Sequence, residues 1–208
     1  MFKEEAVLRE ILCQVLYNND MIEQRQLSDK LQISIGLVNR MVRRLENMGA
    51  TYKTGRNYSI TSFKKVLLYW ASIRNLQRDV IYATRVSSPV REIERSLPDG
   101  VIFSGYTAFN YLFNEAPSDY SEVYVYVPQE ILSEITKRFP PVKLPGNLYV
   151  LKTDKLLQEN VRRYSNGENI VSIPQLYVDL WNIPSWYSKD YISLLERKMM
   201  EMKDGILE

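Results

Sequence analysis

The sequence predicts an α+β protein made of two parts, and three observations support this. Up to residue 61, apolar side chains recur at helical spacing in three segments, and two short alternating segments follow them. From Leu97 onward, strand-like and helix-like segments alternate, which is typical of a small sheet covered by helices. Nine basic and two acidic residues between Arg25 and Lys65 give a net charge of +7, whereas the whole 208-residue chain carries +2. We therefore expect a basic helical domain over residues 1–61, a connecting helix over 62–79 and an α/β domain over 80–208.

The residue types present exclude several classes of enzyme. The chain has no histidine, and Cys13 is its single cysteine. Histidine-based acid–base catalysis, Ser-His-Asp and Cys-His nucleophile systems, and His- or Cys-rich zinc sites are therefore excluded. A single thiol cannot close an intrachain disulfide. No charged leader with an apolar core and no run of about 18 apolar residues is present, so we expect a cytoplasmic protein that does not enter membranes.

The first two helices are predicted from the spacing of apolar side chains. A helix over residues 4–17 leaves Glu5, Arg9 and Gln14 off its apolar stripe, and we expect the segment 18–20 to end it because Asn and Asp tolerate the left-handed conformation. A shorter helix is predicted over residues 24–31, followed by a turn at 32–34. The apolar stripe of the first helix consists of Val7, Leu8, Ile11, Leu12, Val15 and Leu16.

The third helix, predicted to run from its N-cap Ser34 to Asn47, has one apolar and one cationic face. Gly49 is expected to end it. The apolar face consists of Ile35, Val38, Met41, Val42, Leu45 and Met48, and the opposite face of Gly36, Asn39, Arg40, Arg43 and Asn47, with Arg44 beside it. Such a helix fits the major groove of B-DNA, where Arg donates twice to guanine and Asn pairs with adenine.

Two short strands with a glycine turn are predicted after this helix. Residues 50–53 and 58–61 alternate in character, and the turn between them contains Gly55. Lys53 and Arg56 lie near the tip of this hairpin, where they can contact phosphates or the minor groove. The candidate DNA-binding residues are therefore Ser34, Gly36, Asn39, Arg40, Arg43, Arg44, Lys53 and Arg56.

Residues 4–61 resemble the winged helix-turn-helix of many prokaryotic transcription regulators. The resemblance is carried by LSDKLQISIGLVNRMVRRLENMGATYKTGRNYSIT, which contains the second helix, the turn, the recognition helix and the wing in order. It implies that the partner is double-stranded operator DNA. Some winged helices bind protein instead, and a solvated surface is the alternative interpretation of Arg40, Arg43 and Arg44.

The second domain is predicted to contain a small sheet of four or five strands. Strands are expected over residues 80–86, 100–105, 121–127, 147–152 and 169–173, and a short helix over 155–164. A last helix over residues 185–203 repeats apolar side chains over two heptads. We expect it to pack on the second domain rather than form a dimer seam, and a homodimer stays an open alternative.

The order strand, glycine turn, helix and strand resembles the start of nucleotidyltransferases of the polymerase-beta superfamily. That resemblance implies a phosphate-binding turn, here at Gly105, and two Mg²⁺-binding carboxylates on the next strand. The strand offers only Glu122, so we expect a nucleotidyltransferase-like scaffold without the acidic pair, no catalytic residues, no metal and no cofactor. The alternative is a metal-dependent nucleotidyltransferase that uses Glu122 with Asp119 or Asp179.

The segments VIFSGYTAFNYL (101–112) and IVSIPQLYVDLW (170–181) resemble the antitoxin and regulator family of type IV, or abortive-infection, toxin–antitoxin systems. The resemblance implies an autoregulatory DNA-binding protein that counteracts a cognate toxin, or an antitoxin that acts mainly through protein contacts. We expect Asp179 to pair with a base or cap a backbone group, and the tyrosines of this domain to serve packing.

Overall fold

A computed structural model describes residues 3–17, 20–163, 167–203 and 205–207 of the chain. It divides the chain into two compact units, residues 1–74 with 195–208, and residues 75–194. The predicted helix end at Asn18 and Asn19 lies outside the described residues. In the part of the chain that the structure covers, no helix is both long and apolar enough to cross a bilayer.

The first unit contains four helices from the N-terminal segment. Ser34 caps the third helix, as predicted, by accepting a hydrogen bond from the Leu37 backbone N–H at 3.4 Å. Gln32 adopts a left-handed conformation with φ 51° and ends the second helix. The helices are α1 (Lys3–Leu16), α2 (Gln24–Leu31), α3 (Ile35–Asn47) and α4 (Phe63–Ile73).

A three-stranded antiparallel sheet completes the winged fold. Its strands are β1 (Met21–Ile22), β2 (Thr51–Thr54) and β3 (Asn57–Ile60), in the order β1-β3-β2. The β2–β3 hairpin was predicted, and Gly55 has the positive φ of 62° that its turn requires. The strand β1 was not predicted, because two residues are too few to show alternation.

Helix α1 is buried on the polar side as well as on the apolar stripe. Glu5, Arg9 and Glu10 are all buried. The Glu5 carboxylate accepts hydrogen bonds from the Trp70 indole N–H at 3.0 Å and from the Arg74 guanidinium at 3.2 Å. Both partners belong to α4 or its C-cap, so α4 is part of the first unit. The helix predicted within the connecting segment 62–79 is present as α4, and it belongs to the first unit, which continues past residue 61 to residue 74.

The C-terminal segment also differs from the predicted domain boundaries. Helix α10 (Ser188–Met202) contains the division, and residues from Leu195 onward belong to the first unit. There the Lys203 ammonium donates to the Val15 carbonyl at 2.7 Å and to Asp20 Oδ1 at 2.8 Å. A cation at the C-terminal end of α1 also interacts favourably with the helix dipole. The domain predicted over 80–208 thus ends earlier, at residue 194.

The second unit is built on a mixed six-stranded sheet, one strand larger than predicted. The strands are β4 (Val80–Thr84), β5 (Ile102–Ser104), β6 (Val123–Val127), β7 (Leu148–Lys152), β8 (Arg162–Arg163) and β9 (Asn169–Ile170). Their order is β4-β7-β6-β5-β9-β8, with parallel pairs β6–β7 and β5–β9 and the others antiparallel. The two-residue strand β8 lies in the segment for which only a helix was predicted.

Helices join most of these strands. Every residue of the central strand β6 is buried, so its alternating tyrosines and valines both face covered surfaces. An α+β class with a winged fold followed by an α/β unit is thus confirmed. The helices are α5 (Val90–Ser96), α6 (Gly105–Phe113), α7 (Gln129–Arg138), α8 (Lys155–Glu159) and α9 (Ile173–Asn182), before α10.

Candidate nucleic-acid interface

The polar face of α3 forms a shallow open depression on the first unit. The opposite face is buried through Val38, Met41, Val42 and Leu45, which fixes the rotation of the helix about its axis. The depression is lined by Gly36, Asn39, Arg40, Arg43, Arg44 and Asn47, the face predicted from the sequence. The helical spacing therefore places these side chains correctly.

Arg40 and Arg43 are the two cations of α3 that project freely. Both are exposed, and neither makes an ion pair or hydrogen bond within the described residues. They stand three residues apart, so they are neighbours on the helix surface. Their guanidinium donors are therefore available to an external partner.

Arg44 is held by the first unit itself. Its guanidinium donates to the Tyr69 hydroxyl at 2.7 Å, and its Cζ lies 6.0 Å from the centre of that ring. The hydrogen bond with Tyr69 raises the pKa of Arg44. The sequence predicted a cation beside the Arg40 and Arg43 stripe, and the structure adds that α4 fixes its position.

Asn39 and Ser34 also have partners within the unit. The Asn39 amide donates to Gln24 Oε1 at 3.3 Å, which links the start of α2 to α3. The Ser34 hydroxyl caps α3. A Cβ at Gly36 would meet no atom within 4 Å. This glycine is not required by internal packing, and it leaves the backbone of the first turn open to approach.

The hairpin supplies two more exposed cations. Lys53 lies on β2 and Arg56 in the turn, and neither has an ion-pair partner in the described part of the chain. Two other cations of the basic segment are engaged. Lys30 pairs with the buried Glu10 at 2.6 Å, and Lys65 donates to the Met48 carbonyl at the end of α3 at 3.2 Å.

Arg25 and Lys64 were not predicted as site residues. Both are exposed and make no ion pair within the described residues. Arg25 stands in the first turn of α2 and Lys64 in the first turn of α4. The signal in the sequence that could have indicated them is their position in the basic segment 25–65.

The glycine turn of the second unit is filled by protein side chains. Gly105 starts α6 with φ +58°, as a tight turn requires. A Cβ there would lie 3.1 Å from the Ile183 side chain and 3.3 Å from the Tyr124 ring. Glu122, the carboxylate at the start of β6, accepts a hydrogen bond from the Tyr187 hydroxyl.

Asp179 is part of a buried hydrogen-bond network. It is 1% exposed and accepts from the Ser104 hydroxyl at 2.7 Å, the Tyr126 hydroxyl at 2.8 Å and the Gln175 amide at 2.9 Å. These three donors are two hydroxyls and one amide. Among the described residues, no group of three or more His, Cys, Asp or Glu could hold a metal ion.

The tyrosines of the second unit pack against one another. Tyr106 and Tyr191 have ring centres 4.7 Å apart, and Tyr124 stacks on Tyr149 at the same distance. Burial raises the pKa of Tyr106 to about 12, and it raises the pKa of Tyr124 and Tyr191 as well. These hydroxyls therefore stay protonated at neutral pH. The tyrosine rings pack in the unit, and their hydroxyls can donate hydrogen bonds.

Comparison with known protein families supports the nature of the first unit. Residues 5–50 match a family model described as winged helix-turn-helix DNA-binding. The match ends at Ala50, so the β2–β3 hairpin comes from the structure rather than from the family model. The first unit thus has both the fold and the family match of a winged helix-turn-helix DNA-binding domain. A search of curated proteins finds no match to the chain.

Proposed function

We propose that this protein is a sequence-specific DNA-binding transcriptional regulator. The observation that carries the proposal is the pair Arg40 and Arg43, which are exposed on the polar face of α3 and have no partner among the described residues. In this proposal α3 enters the major groove, and the hairpin cations Lys53 and Arg56 contact the phosphate backbone. The family match over residues 5–50 supports the same partner.

The distribution of charge supports DNA over a solvated surface. Within the basic segment 25–65, Lys30, Arg44 and Lys65 have partners inside the unit, whereas the other six cations are exposed and make no ion pair among the described residues: Arg25, Arg40, Arg43, Lys53, Arg56 and Lys64. Phosphate contacts by such side chains release counterions, so binding weakens steeply with salt. A surface that is only solvated would show no preference among duplex sequences.

An Arg43→Ala protein is expected to bind its upstream DNA roughly tenfold more weakly, since a direct base or phosphate contact of Arg is worth about 1–3 kcal/mol. The experiment is footprinting and titration of the full chain on the region upstream of its own reading frame. Lys155→Ala is the matched control, because it removes one positive charge from the exposed surface of α8. Equal losses in both variants, or wild-type binding without salt dependence or sequence preference, would contradict the proposal.

The regulator is further proposed to be autoregulatory and antitoxin-like, with a cytoplasmic location. Support comes from the resemblance of residues 101–112 and 170–181 to antitoxins of abortive-infection systems, and these segments form β5–α6 and β9–α9. The cognate toxin is expected among the products of adjacent reading frames. Co-purification with such a product, and rescue of growth when both are expressed, test the antitoxin role.

Light scattering of the pure protein tests whether it forms a homodimer.

The second unit is proposed to be a nucleotidyltransferase-like scaffold without transferase activity. The side chains of Tyr124 and Ile183 fill the space beside the Gly105 turn, and Glu122 is engaged by Tyr187. We expect no Mg²⁺-dependent incorporation of nucleoside triphosphates into nucleic acid or protein acceptors. Incorporation that is lost in Glu122→Gln would support the enzyme alternative and overturn this proposal.

A further inference from the structure

The side chains on the polar face of α3 that are available to an external partner are mainly guanidinium hydrogen-bond donors. Arg40 and Arg43 have no partner in the described residues. By contrast, Arg44 donates a hydrogen bond to Tyr69, and Asn39 donates one to Gln24. The Ser34 hydroxyl is used in the cap. Two forked, permanently charged donors therefore dominate the chemistry of this surface.

Forked donors of this kind match one base edge in the major groove. Guanine presents the N7 and O6 acceptors side by side, and Arg donates to both at once. Adenine presents one acceptor and one donor there, so a guanidinium cannot make both hydrogen bonds. Two amides on this face, Asn39 and Asn47, have the hydrogen-bond pattern for adenine. Asn39 is half-buried and already donates to Gln24, whereas Asn47 is exposed at the last residue of α3. Recognition helices contact base edges with residues nearer their N-terminus, so Arg40 and Arg43 are better placed than Asn47.

The spacing of the two arginines fits the rise of the DNA duplex. Residues three apart on an α-helix are separated by about 4.5 Å along its axis. Successive base pairs are about 3.4 Å apart. Arg40 and Arg43 can therefore reach two base pairs that are adjacent or separated by one pair.

We propose that Arg40 and Arg43 are the specificity-determining residues and that the DNA site contacted by one α3 helix carries two guanines at adjacent or next-but-one base pairs. This inference rests on the proposed function and names the sequence class that the interface recognises. Lys53 and Arg56 contribute affinity that does not depend on sequence, because phosphates carry no direct sequence information.

The experiment begins with a randomised duplex library selected on the purified full chain. The selected duplex is then titrated with each guanine replaced in turn by adenine or by 7-deazaguanine, which lacks only the N7 acceptor. Replacing either of the two guanines by adenine is expected to weaken wild-type binding by about five- to one-hundred-fold. The 7-deazaguanine duplexes are expected to bind more weakly as well, since one of the two acceptors is missing.

Three variants separate base recognition from phosphate contact. Arg40→Ala is expected to lose discrimination at one of the two positions, and Arg40→Lys to reduce it, because Lys keeps the charge without the planar fork. Lys53→Ala is expected to weaken binding to all duplexes equally and to lower the salt slope by about 1. Circular dichroism shows whether each variant keeps its helices.

The outcomes distinguish this inference from the function on which it rests. Salt-dependent enrichment of a sequence that lacks the two guanines, including adenine enrichment that Asn39→Ala or Asn47→Ala removes, overturns the inference and leaves the regulator proposal standing. Full discrimination retained in Arg40→Ala and Arg43→Ala also overturns it. Salt-dependent binding without any sequence preference overturns both the inference and the regulator proposal. Failure to bind any duplex overturns both.

Discussion

Glu5→Gln is expected to lower the free energy of unfolding of the first unit by about 3 kcal/mol, the lower end of the range for breaking a buried ion pair. The Glu5 carboxylate is 3% exposed and the Arg74 side chain 1%. Without the negative charge, the buried guanidinium of Arg74 loses its ion pair with Glu5. The glutamine oxygen can still accept from the Trp70 indole, which limits the loss.

Denaturant titration followed by tryptophan fluorescence measures this change, because Trp70 is fully buried beside Glu5. The matched control is Glu134→Gln, which removes the same charge from an exposed pair with Arg138 at 2.8 Å. Exposed pairs contribute about 0–1 kcal/mol, so the control is expected to change stability little. Equal effects in the two variants would show that the buried pair does not hold α1 against α4.

The burial of Glu5 also shows the limit of helical periodicity. The spacing of apolar side chains correctly predicted α1 and its apolar stripe. It also placed Glu5 and Arg9 off that stripe, where a surface helix faces water. In the structure this side is covered too, because α4 belongs to the same unit and donates to Glu5. Which segment covers a polar face depends on contacts distant in sequence, and a single sequence does not show them.

The position of the polar face of α3 was predictable from the sequence, but the hydrogen-bond partners of its side chains were not. The positions of the polar residues on α3 follow directly from a period of 3.6 residues, and Ser34 and Gly49 mark its ends. The sequence could not show that Tyr69 engages Arg44 or that Gln24 engages Asn39. Those contacts determine which donors remain for DNA. Counting charges predicts a basic surface, and the contacts reveal which charges are available.

Sequence patterns could not predict the short strands β1 and β8 or the division of the chain into two units. The strands β1 and β8 are too short to show alternation. β1 is defined by its pairing with β3, which is distant in sequence, and β8 by its pairing with the neighbouring β9. The heptad spacing in α10 indicated a packed helix but not that residues from Leu195 onward belong to the first unit. A buried apolar stripe shows that a partner exists without showing which segment it is.

Asp179→Ala is expected to destabilise the second unit by about 4 kcal/mol, since hydrogen bonds to a charged group contribute about 1.5–3 kcal/mol each and some donors find no new acceptor. The Asp179 carboxylate accepts from Ser104 on β5, Tyr126 on β6 and Gln175 on α9. Truncation leaves these buried donors around a cavity. Thermal unfolding by circular dichroism measures the loss, with tryptophan emission from Trp181 and Trp186 reporting on the same unit.

Glu130→Ala is the matched control, because Glu130 is an exposed carboxylate on α7 of the same unit and does not belong to the carboxylates of the enzyme alternative. We expect it to change the melting temperature little. The pair of variants also tests the enzyme alternative, in which Asp179 would be a metal ligand. Removing a ligand from a metal-free site does not destabilise the protein, and it abolishes stabilisation by added Mg²⁺. An Asp179→Ala protein that is as stable as wild type, but is no longer stabilised by Mg²⁺, would contradict the structural role and favour a metal site.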